Sequence, residues 1–179
     1  MPISEIRIVE ISLSDLKNLQ ALARRTFYES FAAVNTEQNM ASYMESHFSD
    51  EKMTAEILNP DSNFFVAHWE ETTCGYLKIN KGIAQTVLQH GEGLEIERIY
   101  IENVFKGRGI GKLFISKAVE LAKLSGANYL WLGVWEHNHQ AVQFYEKNGF
   151  KPFDKHIFKL GDDEQTDLLM KLEIHQSAG

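Results

Sequence analysis

The segment Lys106-Gly107-Arg108-Gly109-Ile110-Gly111 joins a strand-like run at 94–101 to a helical pattern at 109–124, and no other feature restricts the chain so strongly. Downstream of it, Ile110, Leu113, Phe114, Ala118 and Leu121 recur on one helix face. Glycines at such a junction let several backbone N–H groups converge, and the helix beginning at their end adds partial positive charge. Strand, glycine loop and helix together predict an α/β element that seats an anion such as a phosphate.

Two familiar phosphate loops fail the spacing. The kinase and ATPase loop needs four residues between its glycines and then Lys-Ser/Thr, whereas three separate Gly107 from Gly111 and Leu113 follows Lys112. The dinucleotide fingerprint reads G-x-G-x-x-G at the first strand of a doubly wound sheet, but 107–111 reads G-x-G-x-G and lies late in the chain.

Around this junction the order of elements is legible. Residues 5–11 alternate as a half-buried strand, and Ser12 opens an S-x-x-D capping pattern with Asp15 ahead of a helix reaching about Phe31. Helical pieces follow at 36–48 and 49–58, the second closed by Asn59-Pro60. Runs at 64–69 and 74–79 form an antiparallel hairpin turning at 70–73, and 82–93 is a polar loop expected to be mobile without a partner. Then come a strand at 94–101, the helix at 109–124, a strand at 129–134 and a helix at 138–147 ended by Gly149. That β-α-β-α order implies parallel strands with a right-handed crossover. Strands at 150–160 and 165–174 complete the chain around a hairpin turn at 161–164.

Length and composition narrow the function. At 179 residues, with 44% hydrophobic and 24% charged residues, the chain suits a single globular domain over 1–179. A formal charge of −7 argues against nucleic acid as main ligand and favours a cationic small molecule. No run approaches the roughly 18 apolar residues of a membrane span, and the N-terminus lacks the basic start of a secretory signal. With one cysteine, Cys74, no internal disulfide can form, so a cytoplasmic location is expected. His137 and His139 have no cysteine or carboxylate at a ligand spacing, and no metal is expected.

The glycine loop resembles the pyrophosphate loop of the GNAT superfamily of N-acetyltransferases, Gln/Arg-x-x-Gly-x-Gly/Ala, with Lys106 standing where the family has Gln or Arg. Two further stretches resemble the same family: Glu97-Arg98-Ile99-Tyr100-Ile101 its fourth strand, and 138–150 its later motif N-x-x-A-x-x-F-Y-x-x-x-G-F. Trp131 through Asn138, the tail around 158–168, and Arg25-Thr26-Phe27 through Asn39-Met40 look most like PaiA-type spermidine/spermine N-acetyltransferases.

The resemblance implies an α/β fold with a central mixed sheet of about seven strands flanked by helices, strands four and five parallel and splayed. It implies acetyl-CoA as co-substrate, held by Ile99, Tyr100 and Ile101, by Lys106, Gly107, Arg108, Gly109, Ile110 and Gly111, and by Asn138, Tyr145 and Lys147. It implies acetyl transfer to a primary amine by direct attack, with Glu97 as base, directly or through water, and Tyr145 as the donor to the departing thiolate. Phe27, Tyr28 and Trp135 are candidates for the amine pocket, with Glu29, Glu37 and Glu136 as an acidic lining. A polyamine is the first acceptor expected. Protein N-termini, lysine side chains, aminoglycosides and a non-catalytic acyl-CoA sensor are the alternatives, and the C-terminal strands offer a surface for a homodimer.

Overall fold

Ser12 opens the helical part of the chain as its sequence suggests, its backbone N–H donating to Asp15 Oδ2 at 2.9 Å across a short 3-10 turn. Helix α1, Leu16–Phe31, follows. A computed structural model describes residues 5–87, 92–160 and 163–175. Thr36 and Ser49 cap the next two helices, each side-chain oxygen accepting a backbone N–H three residues on, at 3.2 Å. These are α2, Glu37–His47, and α3, Asp50–Leu58.

The strands are β1, Ile6–Glu10; β2, Ser62–Trp69; β3, Thr72–Asn80; β4, Gly93–Ile101; β5, Tyr129–Trp135; β6, Lys151–Leu160; and β7, Asp163–Glu173. They form one mixed seven-stranded sheet in the order β1-β2-β3-β4-β5-β7-β6. Helix α4, Ile110–Ser125, links β4 to β5, and α5, His139–Lys147, follows β5. Of the two turns expected on either side of this region, residues 88–91 of the first and 161 and 162 of the second lie outside the described residues.

Contacts divide the chain into two compact units. The first comprises 1–78 and 98–114. In it β1 pairs antiparallel with β2 from Ile6↔Trp69 to Glu10↔Phe65. Leu19, Leu22, Ala23, Thr26 and Phe27 form the buried stripe of α1 at helical spacing. Gln20 Nε2 and Arg24 Nη2 both donate to the carbonyl of Phe48, at 2.8 and 2.9 Å, satisfying a carbonyl that the end of α2 leaves over. Glu56 is the shared anion of this unit, 3.1 Å from Lys78 Nζ and 3.1 Å from Arg98 Nη1, all three side chains being buried.

The second unit comprises 79–97 and 115–179. Here β5 pairs antiparallel with β7 from Tyr129↔Glu173 to Trp135↔Asp167, and β6 pairs antiparallel with β7, with a bulge between Pro152 and Asp154. Leu130, Trp131, Leu132, Val134, Phe150, Leu169 and Met170 are its buried centre. Gly149, at φ +90, ends α5, and Phe150 N–H turns back to the Tyr145 carbonyl at 3.1 Å.

The buried face of α4 differs from the sequence expectation by a small rotation. Ile110, Phe114 and Ala118 are buried as expected, but Ile115 and Ala122 join them, while Leu113 and Leu121 stay half-exposed. Helix α4 carries more apolar residues than one face can hold, so periodicity alone leaves its orientation loose.

Removing the shared anion in Glu56→Gln takes one counter-charge from the buried Lys78 and Arg98, and the expected cost is about 3 kcal/mol. A drop of that size in unfolding free energy, read from urea denaturation, checks it.

Candidate active site

The loop before α4 takes its shape from two glycines in left-handed conformation, Gly107 at φ +75 and Gly109 at φ +85. A side chain at Gly107 would meet nothing within 4 Å, so conformation and not space demands glycine there. Leu113 N–H donates to the Gly109 carbonyl at 3.2 Å, which makes that the first intrahelical bond. The N–H groups of Ile110, Gly111 and Lys112 therefore belong to the first turn, where a helix has no internal acceptor for them. No acidic residue lies in that turn, and Lys106, Gly107 and Arg108 are exposed. Amides, helix dipole and two adjacent cations suit a diphosphate.

The loop is anchored from behind. Asn103–Phe105 forms a short 3-10 turn, Asn103 N–H donates to Glu29 Oε2 at 3.0 Å, and Arg25 Nε donates to Glu102 Oε1 at 2.7 Å. Glu29 thus holds the loop's backbone.

Strand β4 continues in this same unit as far as Ile101. Glu102 N–H donates to the Cys74 carbonyl at 3.0 Å, so by strand alternation the main-chain groups of 98 and 100 point towards β3. Those of Ile99 and Ile101 point to the opposite edge. The parallel register with β5 runs Gly93↔Tyr129, Leu94↔Leu130 and Glu95↔Trp131 and, among the described residues, goes no further, although β4 continues to Ile101 and β5 to Trp135. An extended, amide-bearing ligand arm could add to β4 where β5 no longer pairs with it. Tyr100 turns its ring to Tyr76, with centroids 5.8 Å apart.

Glu97 is half-buried, and its Oε2 accepts from Asn80 Nδ2 at 2.5 Å. Two residues earlier on the same strand face lies Glu95, only 2% exposed, which sequence reasoning missed. Glu95 Oε2 accepts from Asn80 Nδ2 at 3.1 Å and from Thr86 N–H at 2.9 Å, and its Oε1 accepts from the Thr86 hydroxyl. Burial pushes the Glu95 carboxyl up and the Glu97 charge adds to this, against the downward pull of Thr86 and Asn80. In the described part of the loop after β3, Gln85 is buried and its Oε1 accepts from Trp131 Nε1 at 2.6 Å.

Register carries this sheet face onward. Glu95↔Trp131 puts Gly133 and Trp135 on the same face, and Trp135↔Asp167 adds Asp167. Gly133 is exposed, and a Cβ there would meet Asp167 Oδ2 at 3.4 Å, so the carboxylate lies over a bare stretch of β5. Burial pushes Asp167 from 3.8 to about 6, with His156 acting in the opposite direction. Trp135 is half-buried with His137 edge-on at 5.5 Å, and Glu136 is 3.3 Å from Lys155 Nζ.

Asn138 caps α5, its Oδ1 accepting from Ala141 N–H at 3.2 Å. Tyr145 lies between Phe144 and Phe150, with centroids at 5.3 and 5.7 Å, and burial pushes its phenol up to about 12. Lys147 is exposed at the helix end. Phe27 and Tyr28 point apart: Phe27 is 3% exposed and stacked on Tyr43 at 4.3 Å, while Tyr28 is 52% exposed. Cys74 is buried, with Sγ 3.5 Å from the Thr72 carbonyl. Among the described residues no group of three His, Cys, Asp or Glu could hold a metal ion, and no helix is long and apolar enough to cross a membrane.

A model of the acetyltransferase (GNAT) family matches residues 20–150, from α1 through the glycine loop to the end of the α5 motif. The chain belongs to the GNAT family. An uncharacterized N-acetyltransferase of Lactobacillus delbrueckii subsp. lactis is 40% identical over 166 residues, 93% of this chain and 96% of the relative. The spermidine N(1)-acetyltransferase of Thermoplasma acidophilum is 29% identical over 153 residues, 83% of this chain and 90% of that protein. The crystal structure of the PaiA N-acetyltransferase from Thermoplasma acidophilum in complex with coenzyme A has a TM-score of 0.77 at 26% identity, covering 94% of this chain and 98% of that one. The protein is accordingly an acetyl-CoA-dependent N-acetyltransferase with the GNAT fold. The amide-rich start of α4 agrees in kind with its co-substrate, since such a start offers donors to phosphate.

The half-buried Asp167 carboxyl of this GNAT acetyltransferase gives a pH test. Folded Asp167 holds its proton up to about 6, where the unfolded side chain releases it near 3.8, so stability falls as pH rises through that window. Asp167 keeps partial solvent contact, which discounts the linked loss to roughly 1 kcal/mol. Asp167→Asn should exceed the wild type by about that amount at pH 8, an advantage shrinking towards pH 4. Urea unfolding at the two pH values measures it.

Proposed function

We propose that this GNAT acetyltransferase acetylates a small cationic amine, a polyamine such as spermidine, by direct attack on acetyl-CoA in a ternary complex. The observation that carries the acceptor class is the 29% identity to a spermidine N(1)-acetyltransferase over most of both chains. The sheet face supports it. Glu97 and Asp167 supply negative charge on that face with bare Gly133 beside Asp167, as a cation with more than one ammonium group would require. The family match running across both units supports a single acetyltransferase domain over 1–179.

The cofactor's thioester supplies the acetyl group. In this reading the amides of the glycine loop and of Ile110, Gly111 and Lys112 grip its diphosphate, with Lys106 and Arg108 adding charge. Ile99 and Ile101 pair with its pantetheine arm, Tyr100 holds the strand between them, and Asn138 and Lys147 contribute from α5. Glu97, directly or through one water, takes the proton that an ammonium must lose before nitrogen can attack. The Ile99 N–H stabilises negative charge developing on the carbonyl oxygen. Tyr145 faces the departing sulfur. With its phenol near 12 against a thiol near 8.5, handing its proton over outright would be uphill by about 5 kcal/mol. Tyr145 therefore donates a hydrogen bond to the sulfur, and the attacking amine supplies the proton. Trp135 and the exposed Tyr28 are the aromatic candidates for the acceptor, whereas Phe27 stays buried in its stack on Tyr43.

Coenzyme A release with spermidine, spermine, lysine and an N-terminal peptide tests the reading. The polyamines should exceed lysine and peptide at least about tenfold in kcat/KM. Glu97→Gln should lower kcat by about a hundredfold. Tyr145→Phe should lower it about tenfold. Acetyl-CoA binding without turnover of any amine would instead favour an acyl-CoA sensor, and preference for the peptide a protein acetyltransferase.

A further inference from the structure

Asn80 ends β3 fully buried, and its single amide nitrogen donates to two carboxylates, Glu95 Oε2 at 3.1 Å and Glu97 Oε2 at 2.5 Å. An asparagine amide has two hydrogens to give, one for each carboxylate. Its orientation is fixed by charge, because the flipped amide would put its own oxygen against both carboxylates. Glu95 is in turn held by the Thr86 N–H at 2.9 Å and by the Thr86 hydroxyl, and the adjoining Gln85 is bonded to Trp131 Nε1 at 2.6 Å.

The result is a relay of support running Trp131, Gln85, Thr86, Glu95, Asn80, Glu97. Trp131, Gln85, Glu95 and Asn80 are each at most 2% exposed, while Glu97 at the end of the relay keeps solvent contact. Burying an acid and an amide at central sheet positions costs more than packing apolar residues there. What the arrangement gains is a Glu97 carboxylate restricted to one orientation, although a glutamate side chain otherwise samples many rotamers.

Resting on the reading of Glu97 as the base, we propose that Asn80 and Glu95 are positioning residues that hold the Glu97 carboxylate where it accepts the amine's proton. They touch neither substrate nor thioester. They act by restricting Glu97, and a base displaced by even a fraction of an ångström loses rate steeply.

The test is a double-mutant cycle on the full chain with spermidine and acetyl-CoA. Asn80→Ser and the isosteric Glu95→Gln should each lower kcat about tenfold, leave KM for acetyl-CoA within about twofold, and cost almost nothing further in the Glu97→Gln background. Equal losses in both backgrounds overturn the proposal while leaving Glu97 as base, because a merely structural role would add. Wild-type rates in Glu97→Gln overturn the base reading, and this one with it. A readout independent of turnover is the pair of Asn80 side-chain amide resonances in 15N-labelled protein. Both should move when either Glu95→Gln or Glu97→Gln is introduced, and resonances that stay in place overturn the proposal whatever the kinetics.

Discussion

Among the described residues the parallel ladder between β4 and β5 stops after Glu95↔Trp131 while both strands run on, and the main chain of β4 is shaped by that interruption. Paired strands satisfy one another's amides and carbonyls, and their main chains can then offer little to a ligand. An interrupted ladder turns a central strand into an edge without exposing it to other sheets. The side chains of β4 keep the ordinary duties of a core strand, with Leu94 and Ile96 buried, while its parallel register with β5 is recorded only as far as Glu95. One strand can thus serve packing and binding together, because the two uses run through different atoms.

The same strand separates its charges by face. Arg98 turns to Glu56 and is matched there by an anion in a buried ion pair. Glu95 and Glu97 turn the other way, towards amides and hydroxyls, which can hold a carboxylate without neutralising it. The alternation of a single strand, Glu-Ile-Glu-Arg, therefore sends its carboxylates to one face and its guanidinium to the other.

Local signals were the legible ones. Ser12, Thr36, Ser49 and Asn138 cap the helices their sequence positions announce, and the β-α-β-α order of the second half gives the parallel pair. Each of these depends on residues within a turn or two. What stayed hidden depends on register between distant strands: nothing near Asp167 in sequence says that it will lie over Gly133, and nothing near Gln85 says that Trp131 will bind it. Glu95 was closer to hand, since its alternation with Glu97 is visible in the sequence, but its burial is set by Thr86 and Asn80 on other segments. Phe27 and Tyr28 show the same limit on a helix, where adjacent aromatic residues reach a buried ring stack and the solvent respectively.

Cys74 is the chain's one cysteine, and its sulfur is buried in β3 with the thiol pushed up by that burial. A disulfide chromogen added during catalysis would find no competing sulfur on the folded enzyme, so colour formed would count liberated cofactor alone. Sudden extra colour in a variant would then signal that the strand around Cys74 had opened, giving each assay its own built-in measure of foldedness.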